Sequence, residues 1–491
     1  MTRRLSAHTP LPMGVLAPGY DPAAHGVGIV HLGLGAFHKA HQAAYTDAAL
    51  AAGGGDWRIA GVSLRSPAPA AQLGPQDGRY TLIGRGHTGT SARVIGAVAE
   101  ALHLGTDRAR VMALLAAPTT RIVTLTVTEK GYGIDRATGG ADPAHPAIAQ
   151  DLAAPDAPGG IAGLLVNALA DRHAAGVPPF TVLSCDNLPD NGAMLHGLLV
   201  DFARRTRPDL ADHIATSVAC PGTMVDRITP AATDATRALA QQLTGLRDDA
   251  AIETEAFHQW VIEDRFPLGR PDWAAAGALL VPEVAPYELM KLRMLNGAHS
   301  VLAYTGVALG LRHVKDVMGD PLLAALVCHH MHVAARTLKP LPGVDYRAYA
   351  AALADRFANP HLAHETAQIA SDGTQKLPQR IFAPTRDALQ AGQPGEAFSY
   401  ATAIWMRHAT GRTEAGEVYA LNDPRAAEIA ASLKGAGDAA AIVTALTALP
   451  GLFPDGLVQD SAWRDGVRRV LARILTDGVR ATIAGIVPPD M

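Results

Sequence analysis

Lys291, Asn296 and His299 share one short stretch, Tyr287-Glu288-Leu289-Met290-Lys291-Leu292-Arg293-Met294-Leu295-Asn296-Gly297-Ala298-His299. A desolvated lysine can exchange a proton with a hydroxyl or carbonyl, while an asparagine amide and an imidazole can hydrogen-bond the same oxygen as charge develops on it. The stretch follows Pro286, carries Glu288 early and continues in good helix formers, so it predicts a helix. At roughly 100° per residue the three side chains fall within an arc of roughly 140° and could reach one pocket. Glu288, one turn before the lysine, is placed to relay its proton. The same residues also fit an amphipathic helix with a solvated lysine and a structurally satisfied asparagine and histidine.

The rest of the chain offers elements that could bring a cofactor and substrate to such a helix. Gly28 to Leu32 reads as a strand, Gly33-Leu34-Gly35 as a glycine turn, and Phe37 to Ala51 as a helix. Strand, glycine turn and helix together let backbone amides approach a pyrophosphate, which makes Gly33, Gly35, Ala36 and Phe37 candidate cofactor contacts. The third glycine of a full G-x-G-x-x-G is missing, since His38 stands there, and an ordinary tight turn fits as well. Trp57 to Leu64 reads as the next strand; no acid follows it to read a ribose, and Arg65 could face a 2′-phosphate instead.

Arg93 to Gly96 is a weaker strand candidate, and Arg121 to Thr128 a strong one, rich in β-branched residues. Its end brings Thr128, Glu129 and Lys130 to where ligands of open α/β sheets bind. After a predicted helix from Ile161 to Ala175, the strand Phe180 to Ser184 ends in Cys185-Asp186-Asn187, and Thr223 to Ile228 carries Asp226. Asn187 could supply a second amide to a reacting oxygen and Asp226 could hold a hydroxyl; helix capping and an Asp-Arg structural pair are the alternatives. Lys376 and Arg380 could bind a carboxylate or form a solvated basic loop.

Composition sets bounds. The 491 residues, 48% hydrophobic and 18% charged, suffice for two cores. With 42 basic against 46 acidic residues and no basic run, a nucleic-acid partner is not expected. Three widely spaced cysteines argue against a disulfide framework, and neither a signal peptide nor an apolar run of membrane-spanning length is visible, so a cytoplasmic setting is expected. Helical patterns dominate beyond Ala285: Leu322 to Thr337, Tyr346 to Phe357, Pro384 to Gln390, Arg425 to Leu433 and Asp460 to Ile483. Cys328-His329-His330-Met331-His332 lacks a second ligand cluster, and no metal is expected. No Walker A loop, H-E-x-x-H or G-x-S-x-G occurs.

Taken in order, Gly33-Leu34-Gly35-Ala36-Phe37-His38-Lys39-Ala40-His41, Thr126-Val127-Thr128-Glu129-Lys130-Gly131-Tyr132, Ser184-Cys185-Asp186-Asn187, Met224-Val225-Asp226-Arg227 and the lysine stretch resemble the polyol-specific long-chain dehydrogenases, the family of mannitol 2-dehydrogenases and fructuronate reductases. The resemblance implies metal-independent hydride transfer between NAD(H) and C2 of a sugar alcohol or acid. It makes Lys291 the general acid/base, Asn187 and Asn296 the pair that holds the C2 oxygen, His299 a positioning residue, and Asp226 and Lys376 substrate contacts. Lys130, Arg293 and Arg380 look more like the fructuronate reductases, because extra cations suit a carboxylate, and Gln368 stands where the mannitol enzymes carry an arginine. Arg293 lies roughly 160° around the helix from Lys291, which counts against it. Pro67 and Ala68 replace the acids that follow the second strand in mannitol enzymes, so NADP(H) stays open beside NAD(H).

The expectation is therefore an α/β protein. It has a Rossmann-like dinucleotide-binding domain over residues 1–282 and a mostly helical substrate domain over residues 283–491, acting as a monomer with its active site in a cleft. D-fructuronate reduction is favoured over mannitol/fructose interconversion. The reading of another class is a non-catalytic sugar-binding sensor on the same fold.

Overall fold

The structure, a computed structural model, describes residues 2–86, 89–361, 364–393 and 395–488. The chain divides into two compact units, Met1–Ala285 and Pro286–Met491.

The first unit is built on five parallel strands: β1 (Val27–Leu32), β2 (Arg58–Ser63), β3 (Val98–His103), β4 (Ile122–Leu125) and β5 (Thr181–Ser184), in the order β3-β2-β1-β4-β5. This is the strand order of a dinucleotide-binding sheet. Both faces are covered, as parallel sheets require. Alternation along the strands sends Val30, Leu32, Val62, Val123 and Val182 into a core with helices Leu104–Ala116, Ile161–Ala174 and Asn191–Thr206. Ile29, Ile59, Ile122 and Leu183 enter a second core with helix Gln42–Gly53, Trp260 and Trp273.

Two smaller sheets complete this unit. One orders Val15–Leu16, Gly89–Ile95, Tyr80–Gly86 and Ile252–Glu255; the other orders Leu279–Val281, Gln259–Glu263 and Thr223–Asp226. The segment Arg93 to Gly96 thus belongs to a sheet of its own and not to the dinucleotide-binding sheet, whose edge strand is β3. The strand expected to reach Thr128 stops at Leu125. The helix expected from Phe37 to Ala51 is two helices, α1 (Ala36–Ala40) and α2 (Gln42–Gly53), separated at His41, whose φ and ψ of −113° and −87° are not helical. The imidazole of His41 bonds the Gln259 carbonyl (2.9 Å) and the Gln42 amide (2.9 Å), which holds the break.

The second unit is helical. Gly297–Ala308 is buried along most of its length and packs with Pro321–Ala335 and Glu396–Ala409. The predicted Asp460 to Ile483 helix is in fact Ser461–Thr476 and Val479–Ala484, parted at Gly478, whose φ of +89° no helix accommodates. Among the described residues no helix is long and apolar enough to cross a membrane.

Candidate active site

In the first unit, the candidate cofactor residues collect at one end of the parallel sheet. Gly33 and Gly35 follow β1, Arg65 follows β2, Thr128, Glu129 and Lys130 follow β4, and Asn187 follows β5. This carboxyl edge is where ligands of such sheets bind. Gly33 has φ of +105°, and a Cβ there would lie 2.2 Å from the Thr126 carbonyl, so only glycine fits. At Gly35 a Cβ would meet nothing closer than the Gly33 carbonyl at 3.5 Å, which leaves room in front of the first amides of α1 at Ala36 and Phe37. Those amides, like any in the first turn of a helix, lack intrahelical partners.

The loop after β4 is pinned by a residue that the sequence reading quoted without giving it a role. The Asp186 carboxylate accepts hydrogen bonds from Val127 N (2.8 Å), Thr128 N (3.2 Å) and the Tyr132 hydroxyl (2.8 Å). Burial raises its pKa, and these donors oppose the rise. They hold Thr128 at φ of +68°, a region that β-branched side chains avoid. Thr128, Glu129, Lys130, Arg65 and Asn187 are exposed, and Glu129 pairs with Arg136 at 2.8 Å. Asp226 is buried at the end of its strand, opposite Gln259.

In the second unit the lysine helix is not uniform. Ala285–Met290 is α, Lys291–Asn296 is a π-helix, and Gly297–Ala308 is α again. The amide of Gly297 donates to the Leu292 carbonyl, an i to i−5 bond. A π turn brings residue i+5 back over residue i, so Lys291 and Asn296 lie closer to one line than the arc of an α-helix gives. Lys291 and Arg293 are buried, while Asn296 and His299 keep part of their surface open.

A second π segment, Pro378–Phe382, packs against the first and carries Arg380. A Cβ on Gly297 would lie 3.1 Å from the Arg380 carbonyl and 3.2 Å from His330 Nε2, so glycine permits this approach. Arg380 Nη1 donates to Ser300 Oγ over a long 3.4 Å, and no carboxylate among the described residues pairs with this guanidinium. Burial depresses its pKa, and nearby Tyr304 opposes that. His299 packs its ring 4.3 Å from Phe357, and burial together with Arg356, His364 and Arg380 holds its pKa well below the ordinary value. It is neutral at pH 7. Lys376 Nζ donates to the Ser371 carbonyl at 2.7 Å and lies 3.7 Å from Asp372; burial and Arg380 lower its pKa.

Arg293 has partners of its own. Its guanidinium donates to the Thr337 carbonyl (2.9 Å) and hydroxyl (2.8 Å) and pairs with Asp387, whose carboxylate offsets its charge. Arg356 and His364, which sequence reasoning missed, flank His299; their separation from it along the chain leaves no local pattern that would reveal them. Among the described residues no three His, Cys, Asp or Glu side chains converge as a metal site would require.

The geometry can be set beside known proteins. The family signature of the mannitol dehydrogenase Rossmann domain matches residues 27–275, and that of the mannitol dehydrogenase C-terminal domain matches residues 283–474. The chain belongs to the mannitol dehydrogenase family. It is an oxidoreductase of that family, with a Rossmann-like unit followed by a helical one. The D-mannonate oxidoreductase of Escherichia coli (strain K12) is 42% identical over 481 residues, covering 96% of this chain and 98% of that one. The structure of Pseudomonas fluorescens mannitol 2-dehydrogenase in ternary complex with NAD and D-mannitol is 37% identical, covers 97% of both chains and has a TM-score of 0.77. A D-sorbitol dehydrogenase in substrate-free form is 33% identical, covers 98% of this chain and all of that one, and has a TM-score of 0.91.

Proposed function

We propose that this member of the family reduces the C2 carbonyl of a sugar acid with NADH, with D-fructuronate to D-mannonate as the leading reaction. The observation that carries the choice of an acid is Arg380. A half-buried guanidinium whose one hydrogen bond, among the described residues, goes to a distant hydroxyl is an expensive arrangement unless an anion joins it. A uronate carboxylate would satisfy it in bidentate fashion; the hydroxymethyl end of fructose would leave the charge uncompensated.

Bound NAD(H) supplies or accepts the hydride. The glycine turn fits a pyrophosphate: Gly33 has no space for a side chain, and Gly35 leaves the amides of Ala36 and Phe37 open to one. The roles of the residues are part of the proposal. Lys291 as an ammonium donates a proton to the C2 oxygen during reduction and takes it back in oxidation, with Glu288 as the relay to solvent. Asn296, in π register with Lys291, donates its amide to that same oxygen, and Asn187 supplies the second amide. Neutral His299 holds a neighbouring hydroxyl. Asp226 and Lys376 are further substrate contacts, and Lys130 is the alternative cation for the carboxylate. Arg65, with no acid beside it, leaves NADP(H) acceptable as well.

Comparison of kcat/KM for D-fructuronate, D-tagaturonate and D-fructose with NADH at one pH tests the proposal. A uronate should win by at least the roughly tenfold that one charge-assisted hydrogen bond supplies. A preference for fructose refutes the sugar-acid reading and leaves the lysine and cofactor assignments intact.

A further inference from the structure

A cavity of about 270 Å³ lies in the first unit; Tyr45, Ser91, Arg93, Arg227 and His258 supply its polar lining. None of Gly33, Gly35, Arg65, Thr128, Asn187 or Asp226 lines it. The hydrogen bonds of its two arginines go to backbone carbonyls, with Asp47 a longer ion-pair partner of Arg93: Arg93 Nη2 donates to the Ala44 carbonyl at 2.8 Å, and Arg227 donates to the carbonyls of Ala40 and, at 3.1 Å, Glu255. The Nε of each is buried with no hydrogen-bond partner. Backbone carbonyls fix the direction of a guanidinium but do not neutralise it.

No carboxylate lines the cavity. Of the carboxylates around it, Asp47 has Oδ1 engaged by the Tyr20 hydroxyl (2.9 Å) and the Gly96 amide (2.8 Å) and Oδ2 3.9 Å from Arg93, while Glu255 accepts from the Ile228 amide. His258 Nδ1 bonds the Tyr45 hydroxyl at 2.7 Å, and burial followed by the fields of Arg227 and Arg93 brings its pKa down to about 4. Two fixed cations, an imidazole and two hydroxyls thus face a space larger than a bare oxyanion. A carboxylate has two oxygens and would leave donors unused, whereas a tetrahedral oxyanion can accept from guanidinium and hydroxyl groups at once.

We propose that this cavity binds a phosphate-type oxyanion, either free phosphate or the phosphoryl end of a small monoester. It is a second ligand site, independent of the redox site.

The test measures Tm and binding heat of the full-length protein with inorganic phosphate, glycerol 2-phosphate and, at equal ionic strength, acetate or chloride. Saturable binding of the phosphates with no matching effect of acetate or chloride is expected. Tighter binding of glycerol 2-phosphate identifies a monoester site, and equal binding identifies a phosphate site. Arg93→Gln should weaken binding by roughly tenfold or more. Ser91→Glu places a carboxylate among the arginines and should raise Tm without phosphate while abolishing the response to it. The wild-type response should survive Gly35→Val, which blocks the nucleotide-phosphate turn, and should shift the NMR signal of His258. A response equal to that of acetate, lost in Gly35→Val, or unchanged in Ser91→Glu overturns the proposal, and the Ser91 variant keeps it testable if Arg93→Gln fails to fold.

Discussion

Lys291 is 9% exposed, and in the proposed mechanism it trades its proton with a substrate oxygen. Lys291→Ala should lower kcat by the factor of roughly 10² to 10⁴ typical of a lost general acid, with NADH affinity unchanged by fluorescence titration. An undiminished kcat would remove the lysine from the mechanism. Arg380→Ala should raise KM for D-fructuronate by about tenfold or more and leave fructose turnover nearly unaffected, since only the acid meets the guanidinium. Should both substrates suffer equally, Arg380 is structural. The residue types of the candidate site stood out in the sequence because lysine, asparagine and histidine share one short stretch. For Arg293 the helical offset from Lys291 already counted against a shared pocket, but its partner Asp387, 94 residues on, left no local pattern.

Elements were legible where residue type and period agreed. β1, β2, β4 and β5 are rich in apolar and β-branched residues and lie within the stretches their sequences marked, although β4 ends three residues short of the expected Thr128. β3, Val-Ala-Glu-Ala-Leu-His, escaped notice because alanine and glutamate are weak strand formers and an edge strand is buried on fewer sides. The break at His41 and the π turn at Lys291 were invisible for a related reason: both depend on tertiary hydrogen bonds and packing, and the local residues are compatible with an ordinary helix. The glycine turn supports a clean experiment. Gly35→Val meets no backbone clash, so it should fold with near-wild-type Tm yet lose NADH binding; Gly33→Val should fail to fold, because its Cβ meets the Thr126 carbonyl. Normal NADH affinity in a folded Gly35→Val protein would move the cofactor elsewhere.

Across the whole molecule, several histidines are buried neutral. Burial holds His31, His41 and His330 at a pKa of about 3 and His408 at about 4. The unfolded chain binds protons on these rings below about 6.5, and the folded chain does not, so stability is complete above that pH and falls as pH drops toward 4. Each fully shifted ring contributes at most about 1.4 kcal/mol per pH unit in that window. Asp47 and Asp186, whose pKa values burial raises, act in the opposite sense nearer pH 4. The urea midpoint should therefore drop clearly between pH 7.5 and 5.5. His330→Leu removes a ring whose two nitrogens lack hydrogen-bond partners and should flatten that drop at little cost at pH 7.5. A midpoint insensitive to pH in the wild type would contradict the buried-neutral assignment.

The π turn can also be viewed as a counting device. An i to i−5 turn is an α-helix holding one residue too many, which the flanking turns absorb. Removing Leu292 would let the helix relax to regular α geometry with its hydrophobic packing largely kept, yet every side chain from Asn296 onward would be re-phased against Lys291. Single-residue deletions in this helix should thus be more damaging to turnover than to folding.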